Sequence, residues 1–284
     1  MTLPTFFIAH GGGPWPWMNG QMRDFHAPLE ASLRDMPHQI GSLPSAVLIV
    51  SAHWEAPEFT VMGQARPGML YDYNGFPPNT YEVRYNAPGS PVLAQRVQQL
   101  ALAAGMPCGI DAERGFDHGA FVPLSVIYPQ ANVPVVQLSL KQGLDPQSHL
   151  KLGQAMAPLR DEGVLIIGSG MSFHNVGLRG PAAKTASRAF DDWLAESLQR
   201  STGVDRAGRV ARWADAPSGR LAHPREEHLL PLMVALGAAQ GDAATRIHYE
   251  ENFFGTAVVS SYRFDRTDAT SLPIPTTVKP GEAS

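Results

Sequence analysis

Ala46-Val-Leu-Ile-Val-Ser51 is followed at once by Ala52-His53-Trp54-Glu55. The run is aliphatic and largely β-branched, shows no polar alternation and ends on a polar residue. That is the pattern of a strand covered on both faces. Three further stretches read the same way: Thr5-Phe-Phe-Ile-Ala9, Val133-Pro-Val-Val-Gln-Leu-Ser-Leu140 and Gly163-Val-Leu-Ile-Ile-Gly168. The alternating run at 256–264 reads as a half-exposed or edge strand. Between these lie helix candidates at 90–104, 146–160, 184–200 and 226–239. The first opens on Ser90-Pro91 and closes at Gly105, a stop signal at each end. The second and third carry apolar residues at three- and four-residue spacing. The last has Glu226 and Glu227 in its first turn, where the helix dipole favours acids. Strands alternating with helices predict an α/β fold, with a mainly parallel central sheet flanked by helices and an added edge strand or strands. No repeat or linker divides the chain, so residues 1–266 read as a single domain. Residues 267–284 are rich in Pro and Thr without a hydrophobic period, and are expected to form a loose or disordered tail.

Composition narrows the function classes. Hydrophobic residues make up 44% of the 284 and charged ones 17%, which fits a globular chain and argues against disorder. The net charge is −4 and the Lys and Arg residues form no run, so nucleic acid is not an expected partner. No apolar stretch approaches the ~20 residues that cross a bilayer, so no membrane is expected either. The first ten residues lack the basic start and apolar length of a signal peptide, and the reading is cytoplasmic. A lone cysteine, Cys108, cannot staple the fold and fits a reducing compartment. With no activating neighbour it is expected to be a buried structural thiol.

The ten histidines carry the chemistry. His10 follows the strand at 5–9, His53 follows the run at 46–51, and His174 comes four residues after Gly170. Ligands of open α/β sheets bind beyond the carboxyl ends of the strands. Three imidazoles at such ends can therefore converge although they are distant in sequence. Imidazole is the commonest protein metal ligand, and a catalytic metal needs about three such groups with one position left open. His118, in Gly115-Phe-Asp-His-Gly119, and His228, in Glu227-His-Leu-Leu-Pro231, sit in suggestive contexts. His223 and His228 are about 140° apart around a helix, so only one of them points inward, and His228 is the choice. Glu227 is its rival, because a carboxylate would complete a two-histidine, one-carboxylate set. His26, His38, His149 and His248 are read as solvated surface residues.

Other motifs weigh less. Gly168-Ser-Gly170 half-matches a dinucleotide fingerprint but lacks the third glycine and a following helix. Gly11-Gly12-Gly13 lacks the Lys-Ser/Thr of a phosphate loop and reads either as a tight turn or as a close approach of the backbone to a metal or substrate. The aromatic loop at 71–81, together with Trp15 and Trp17, reads equally as the wall of a pocket for a flat ligand and as a loop packed by its own rings.

Eight segments in order resemble the DOPA-type extradiol ring-opening dioxygenases of the class III extradiol family, over about residues 4–264. They are Ala9-His-Gly-Gly-Gly-Pro14, Ser51-Ala-His-Trp-Glu55, Tyr73-Asn-Gly-Phe-Pro77, Tyr85-Asn-Ala-Pro-Gly-Ser-Pro91, Gly115-Phe-Asp-His-Gly119, Val135-Val-Gln-Leu-Ser139, Gly168-Ser-Gly-Met-Ser-Phe-His-Asn175 and Glu227-His-Leu-Leu-Pro231. The resemblance implies that 1–266 is a catalytic domain binding one divalent metal per chain, Zn2+ or Fe2+, with Fe2+ favoured for turnover. It implies His10, His53 and His228 as metal ligands, with Glu227 as the rival third and His174 as a possible fourth. It implies His174 as an acid/base and His118 as a histidine that either supports a metal ligand or contacts substrate. The expected partners are a small aromatic diol and O2, and the chain is expected to act as a monomer or homodimer. The alternatives are a zinc-dependent hydrolase using the same cluster and a non-catalytic binding protein on the same fold.

Overall fold

The computed structural model describes residues 2–266, so the tail at 267–284 lies outside the described residues. The strands are β1 (Thr5–Ala9), β2 (Ala46–Ala56), β3 (Phe59–Met62), β4 (Cys108–Asp111), β5 (Val135–Lys141), β6 (Val164–Gly170), β7 (Ala243–Phe253) and β8 (Ala257–Asp265). The helices are α1 (Gln21–Phe25), α2 (Ala27–Ile40), α3 (Pro91–Ala103), α4 (His118–Ile127), α5 (Pro146–Met156), α6 (Gly180–Gln199), α7 (Gly203–Ala211), α8 (Gly219–Ala222) and α9 (Leu230–Ala239). One sheet runs β4-β3-β5-β2-β6-β1-β8-β7. Its central strands pair in parallel, β5-β2-β6-β1, while β8 and β7 join antiparallel at one side. This is the expected single-domain α/β architecture. No helix among the described residues is long and apolar enough to cross a membrane.

The order β2-β6-β1 puts the carboxyl ends of three parallel strands side by side. His10 leaves β1 here, and the segment carrying His174 leaves β6. His53 is inside β2 rather than after it. The pairing of β2 with β5 slips between Val50 and Glu55, and this irregularity turns the strand where the histidine sits.

Several expectations are corrected. The run at 256–264 is not at the edge. β8 lies between β1 and β7, and its serines are buried, with Ser261 Oγ accepting from the Ala9 amide at 3.0 Å. Its serines face the protein interior instead of solvent. The last helix begins at Leu230, so Glu226 and Glu227 precede it in a turn. α9 is apolar on every side and buried throughout, packed against α5 and β6. Strands β3, β4 and β7 escape the sequence reading. β3 and β4 are only four residues long, and β7 is half exposed along most of its length.

His38 is exposed, as read, but His26, His149 and His248 are buried. His149 Nε2 accepts from the Lys141 amide at 3.2 Å and its Nδ1 faces Asp145 O at 2.7 Å. His223 Nε2 lies 3.0 Å from Ser172 O, beside Phe190 and Trp213. Burial, the largest cause, holds His26 and His149 down at about 4 and His223 at about 3. These folded-state values lie below the ordinary 6.5 of an unfolded histidine. The unfolded chain therefore binds more protons, and the stabilisation is complete above pH 6.5 and is lost as pH falls toward 4. Each such proton is worth roughly 1.4 kcal/mol per pH unit in that window. Urea unfolding is expected to give a midpoint that drops steeply from pH 6.5 to 4.5, and a flat profile over that range would refute the buried-histidine account. Cys108 is buried as expected, and burial, with Glu58 nearby, pushes its thiol up to about 11.

Candidate metal centre

Five histidines gather where β1, β2 and β6 end. Ring centroids of His10 stand 5.0 Å from His53, 5.5 Å from His118 and 5.3 Å from His228. His53 lies 3.8 Å from His118 and 4.9 Å from His228. His174 stacks on His228 at 3.3 Å with the rings nearly parallel. His10, His53 and His228 each offer one nitrogen, all within 4.8 Å of one another.

The tautomers follow from what the outer nitrogens touch. Ser169 Oγ donates its single proton to Gly119 O, so toward His10 Nδ1, at 3.2 Å, it can only accept. His10 therefore carries its hydrogen on Nδ1 and presents Nε2 bare. Glu227 Oε1 is 3.0 Å from His228 Nδ1, and Asp72 Oδ2 is 3.3 Å from His53 Nδ1. Both carboxylates fix the same tautomer. Burial is the main cause keeping His10 and His53 well below 6.5 and His228 at about 4, so all three rings are neutral near pH 7. The Nε2 atoms of His10 and His53 then face each other at 3.2 Å with no proton between them. Two such lone pairs repel unless a cation lies between. Two nitrogens tetrahedrally placed around one zinc sit roughly 3.3 Å apart. The residues fit a metal, and each outer carboxylate or hydroxyl orients its imidazole in the usual manner of a metal centre.

Glu227 is separated from His10 and His53. It reaches His228 and, at 3.5 Å, His174 Nδ1. Burial works against its ionised form, but the bonds to His174 and His228 win and hold its pKa well down. Arg225 clamps it from outside, 3.3 Å away, while bonding Glu55 of β2 at 2.5 and 2.6 Å. His223 is buried, but against Phe190 and Trp213, so of that pair only His228 faces the cluster.

The local backbone explains the convergence. Gly168 and Gly170 lie on one face of β6, and a Cβ at either position would meet the backbone carbonyl of Pro231 or His228 at 2.2 or 2.1 Å. The Gly-Ser-Gly motif is thus a seat for 228–231, with Ser169 turned to the opposite face and His10. Gly11, at φ +82°, makes the turn after His10, where a side chain would strike Trp15 and His26. His26 Nε2 accepts from the Gly12 amide at 3.0 Å. The glycine run makes a tight turn, and the close approach seen there is to the side chains of Trp15, His26 and Phe254.

Two acids escaped the sequence reading. Asp72 sits in the aromatic loop, accepts from the His118 amide and places Oδ1 2.9 Å from His118 Nδ1. Burial opposes its charge, yet the bond to His118 keeps its pKa below the ordinary value. Asp117 is fully buried, caps α4 and bonds Ser51, Arg114 and Gln137. Its place just before an apolar run was the available signal. The aromatic loop covers the His118 side, with Tyr73 5.8 Å from that ring, and also packs on itself through Tyr71, Tyr73 and Tyr81. Trp15 is buried against His26, and Trp17 packs on Phe121. A cleft with a volume of about 390 Å³ opens at His174.

Residues 4–264 match the family model described as the catalytic LigB subunit of aromatic ring-opening dioxygenase. The chain belongs to this family. A 4,5-DOPA dioxygenase extradiol of Beta vulgaris is 40% identical over 269 residues, covering 93% of this chain and 97% of that protein. One from Portulaca grandiflora is 41% identical over 228 residues, covering 78% and 82%. A crystal structure of an uncharacterized Escherichia coli K12 protein superposes with a TM-score of 0.75 at 29% identity, covering 93% of this chain and 100% of that one. The eight-stranded sheet is thus that of a ring-opening dioxygenase family member.

Proposed function

We propose that this chain catalyses extradiol ring cleavage of a catechol-type aromatic by dioxygen, using one divalent metal ion held by His10, His53 and His228. The observation that carries the reading is the pair of proton-free nitrogens of His10 and His53 facing each other beside His228. When bound, the ion lowers the pKa of a chelated hydroxyl, and iron(II), unlike redox-silent zinc, also supplies electrons to dioxygen, which makes Fe2+ the favoured working metal. His174 takes the proton of the second hydroxyl. Glu227 occupies its Nδ1, which leaves Nε2 for exchange. His118, held at Nδ1 by Asp72, orients a substrate oxygen through its other nitrogen. Glu227 and Asp72 are positioning residues, since each acts through two histidines and neither joins the group formed by His10, His53 and His228. The tyrosine-rich loop shields the centre from water on the His118 side.

The test is metal exchange. Protein stripped of metal, reloaded with iron(II) under nitrogen and then given a catechol and oxygen is expected to yield a yellow ring-fission product, with one O2 consumed per ring opened. The zinc-loaded protein is expected to bind the diol without turnover. Failure of every catechol in a broad panel, with iron shown to be bound, would reject the reading.

A further inference from the structure

The cleft at His174 has a composition the reaction does not explain. His174 ties it to the cluster through its stacking on His228. Its walls are otherwise apolar, built from Met171, Phe173, Leu178, Phe253 and Phe254. Phe254 is held at φ +48°, a backbone conformation unusual for a bulky residue, at the β7–β8 hairpin. A side chain at Gly12 would strike its ring at 2.7 Å, so the hairpin lies directly over the turn after His10. Arg179 also lines the cleft, the only formal cation among the lining residues, and no carboxylate lines it. Arg188 pairs with Glu251 and Arg220 with Glu226, whereas Arg179 has no ion pair among the described residues. Asn175 and Thr256 are the other polar residues of the lining, and Asn175 spends its amide on Leu221 O and on the Gly177 and Leu178 amides.

We propose that this cleft holds the ring substituent of the substrate, and that Arg179 selects catechols whose substituent is an apolar stem ending in a carboxylate. The inference rests on the ring-cleaving reading and deepens it. A guanidinium offers a planar fork that matches a carboxylate, and the apolar walls exclude competing water from the stem. An ammonium group meets no acid in the cleft and is repelled by Arg179. Catechol carboxylates are therefore favoured over catechol amines, with catechol amino acids between them.

The experiment compares dihydrocaffeate, propylcatechol, DOPA and dopamine on the iron-loaded enzyme, and their binding to the zinc-loaded protein under nitrogen by calorimetry. For an exposed but unpaired arginine the expected preference in kcat/KM for dihydrocaffeate over propylcatechol is about tenfold, carried by KM. In Arg179→Met the ratio is expected to fall to near one, and Arg179→Lys to retain part of it. A ratio unchanged by Arg179→Met, or a wild-type preference for propylcatechol or dopamine, overturns the assignment. If no catechol is cleaved but dihydrocaffeate still binds about tenfold tighter than propylcatechol in an Arg179-dependent way, the ring-cleaving reading fails and the anion subsite stands. Equal binding of the two overturns the subsite whatever the turnover.

Discussion

Replacing His228 by alanine is expected to weaken metal binding by more than about a hundredfold and to abolish ring cleavage, because a three-nitrogen site cannot hold its ion with two. The same substitution exposes Glu227 to a different fate. Its carboxylate loses the Nδ1 proton it accepts at 3.0 Å and keeps only His174 and Arg225. Glu227→Gln separates the two roles that the sequence left open at this pair. If Glu227 were the third ligand, the glutamine variant would lose metal as severely as His228→Ala. As the partner of an imidazole it should cost about 10–100-fold in affinity or activity, the usual range for such outer groups. Elemental analysis after dialysis against a weak chelator, run on both variants beside the parent, reads the difference directly. Equal metal retention by His228→Ala and the parent would remove His228 from the centre.

The contrast between those variants also marks what the chain reveals before it folds. Uniformly apolar runs at β1, β2, β5 and β6 identify the parallel centre because strands covered on both faces need no polar alternation. His10 could be placed because it stops such a run, and the glycines around it announce a turn. The peripheral strands β3, β4 and β7 carry no such signal, since short or half-exposed strands look like loops. The same bias affects β8, where a polar alternation suggests water but Ser260 and Ser261 are buried and Ser261 Oγ accepts from the Ala9 amide of β1. Isolated histidines read as solvated surface, and the burial of His26, His149 and His248 defeats that reading because burial is decided by the folded chain. Asp72 and Asp117 were invisible for a related reason. Residue type and spacing reveal metal ligands, whereas the acids that aim those ligands can stand anywhere in sequence.

Asp117→Ala is expected to destabilise the protein by about 3–5 kcal/mol, the cost of breaking a buried ion pair by removing one partner. Asp117 has no solvent exposure, and its carboxylate is shared by the Ser51 hydroxyl at 2.7 Å, Arg114 Nη2 at 2.9 Å, the Gln137 amide and the Ala120 amide at 3.2 Å. Burial pushes its pKa up, and Ser51 and Arg114 are among the groups that oppose the shift. Truncation strands a guanidinium whose Nε already lacks a partner, leaves buried amide and hydroxyl donors open, and strips α4 of its cap. The damage reaches the centre along two short routes. Ser51 Oγ accepts from the His53 amide at 3.1 Å, and His118 is the first residue of the helix that Asp117 caps. Urea unfolding of metal-free protein isolates the stability term, because bound metal would add its own linkage. Metal affinity measured on the folded fraction should then fall by roughly tenfold, as for other groups that orient ligands at one remove. An unfolding midpoint equal to that of the parent would show that Ser51, Arg114 and Gln137 find other partners, and that Asp117 does not organise the floor beneath His53 and His118.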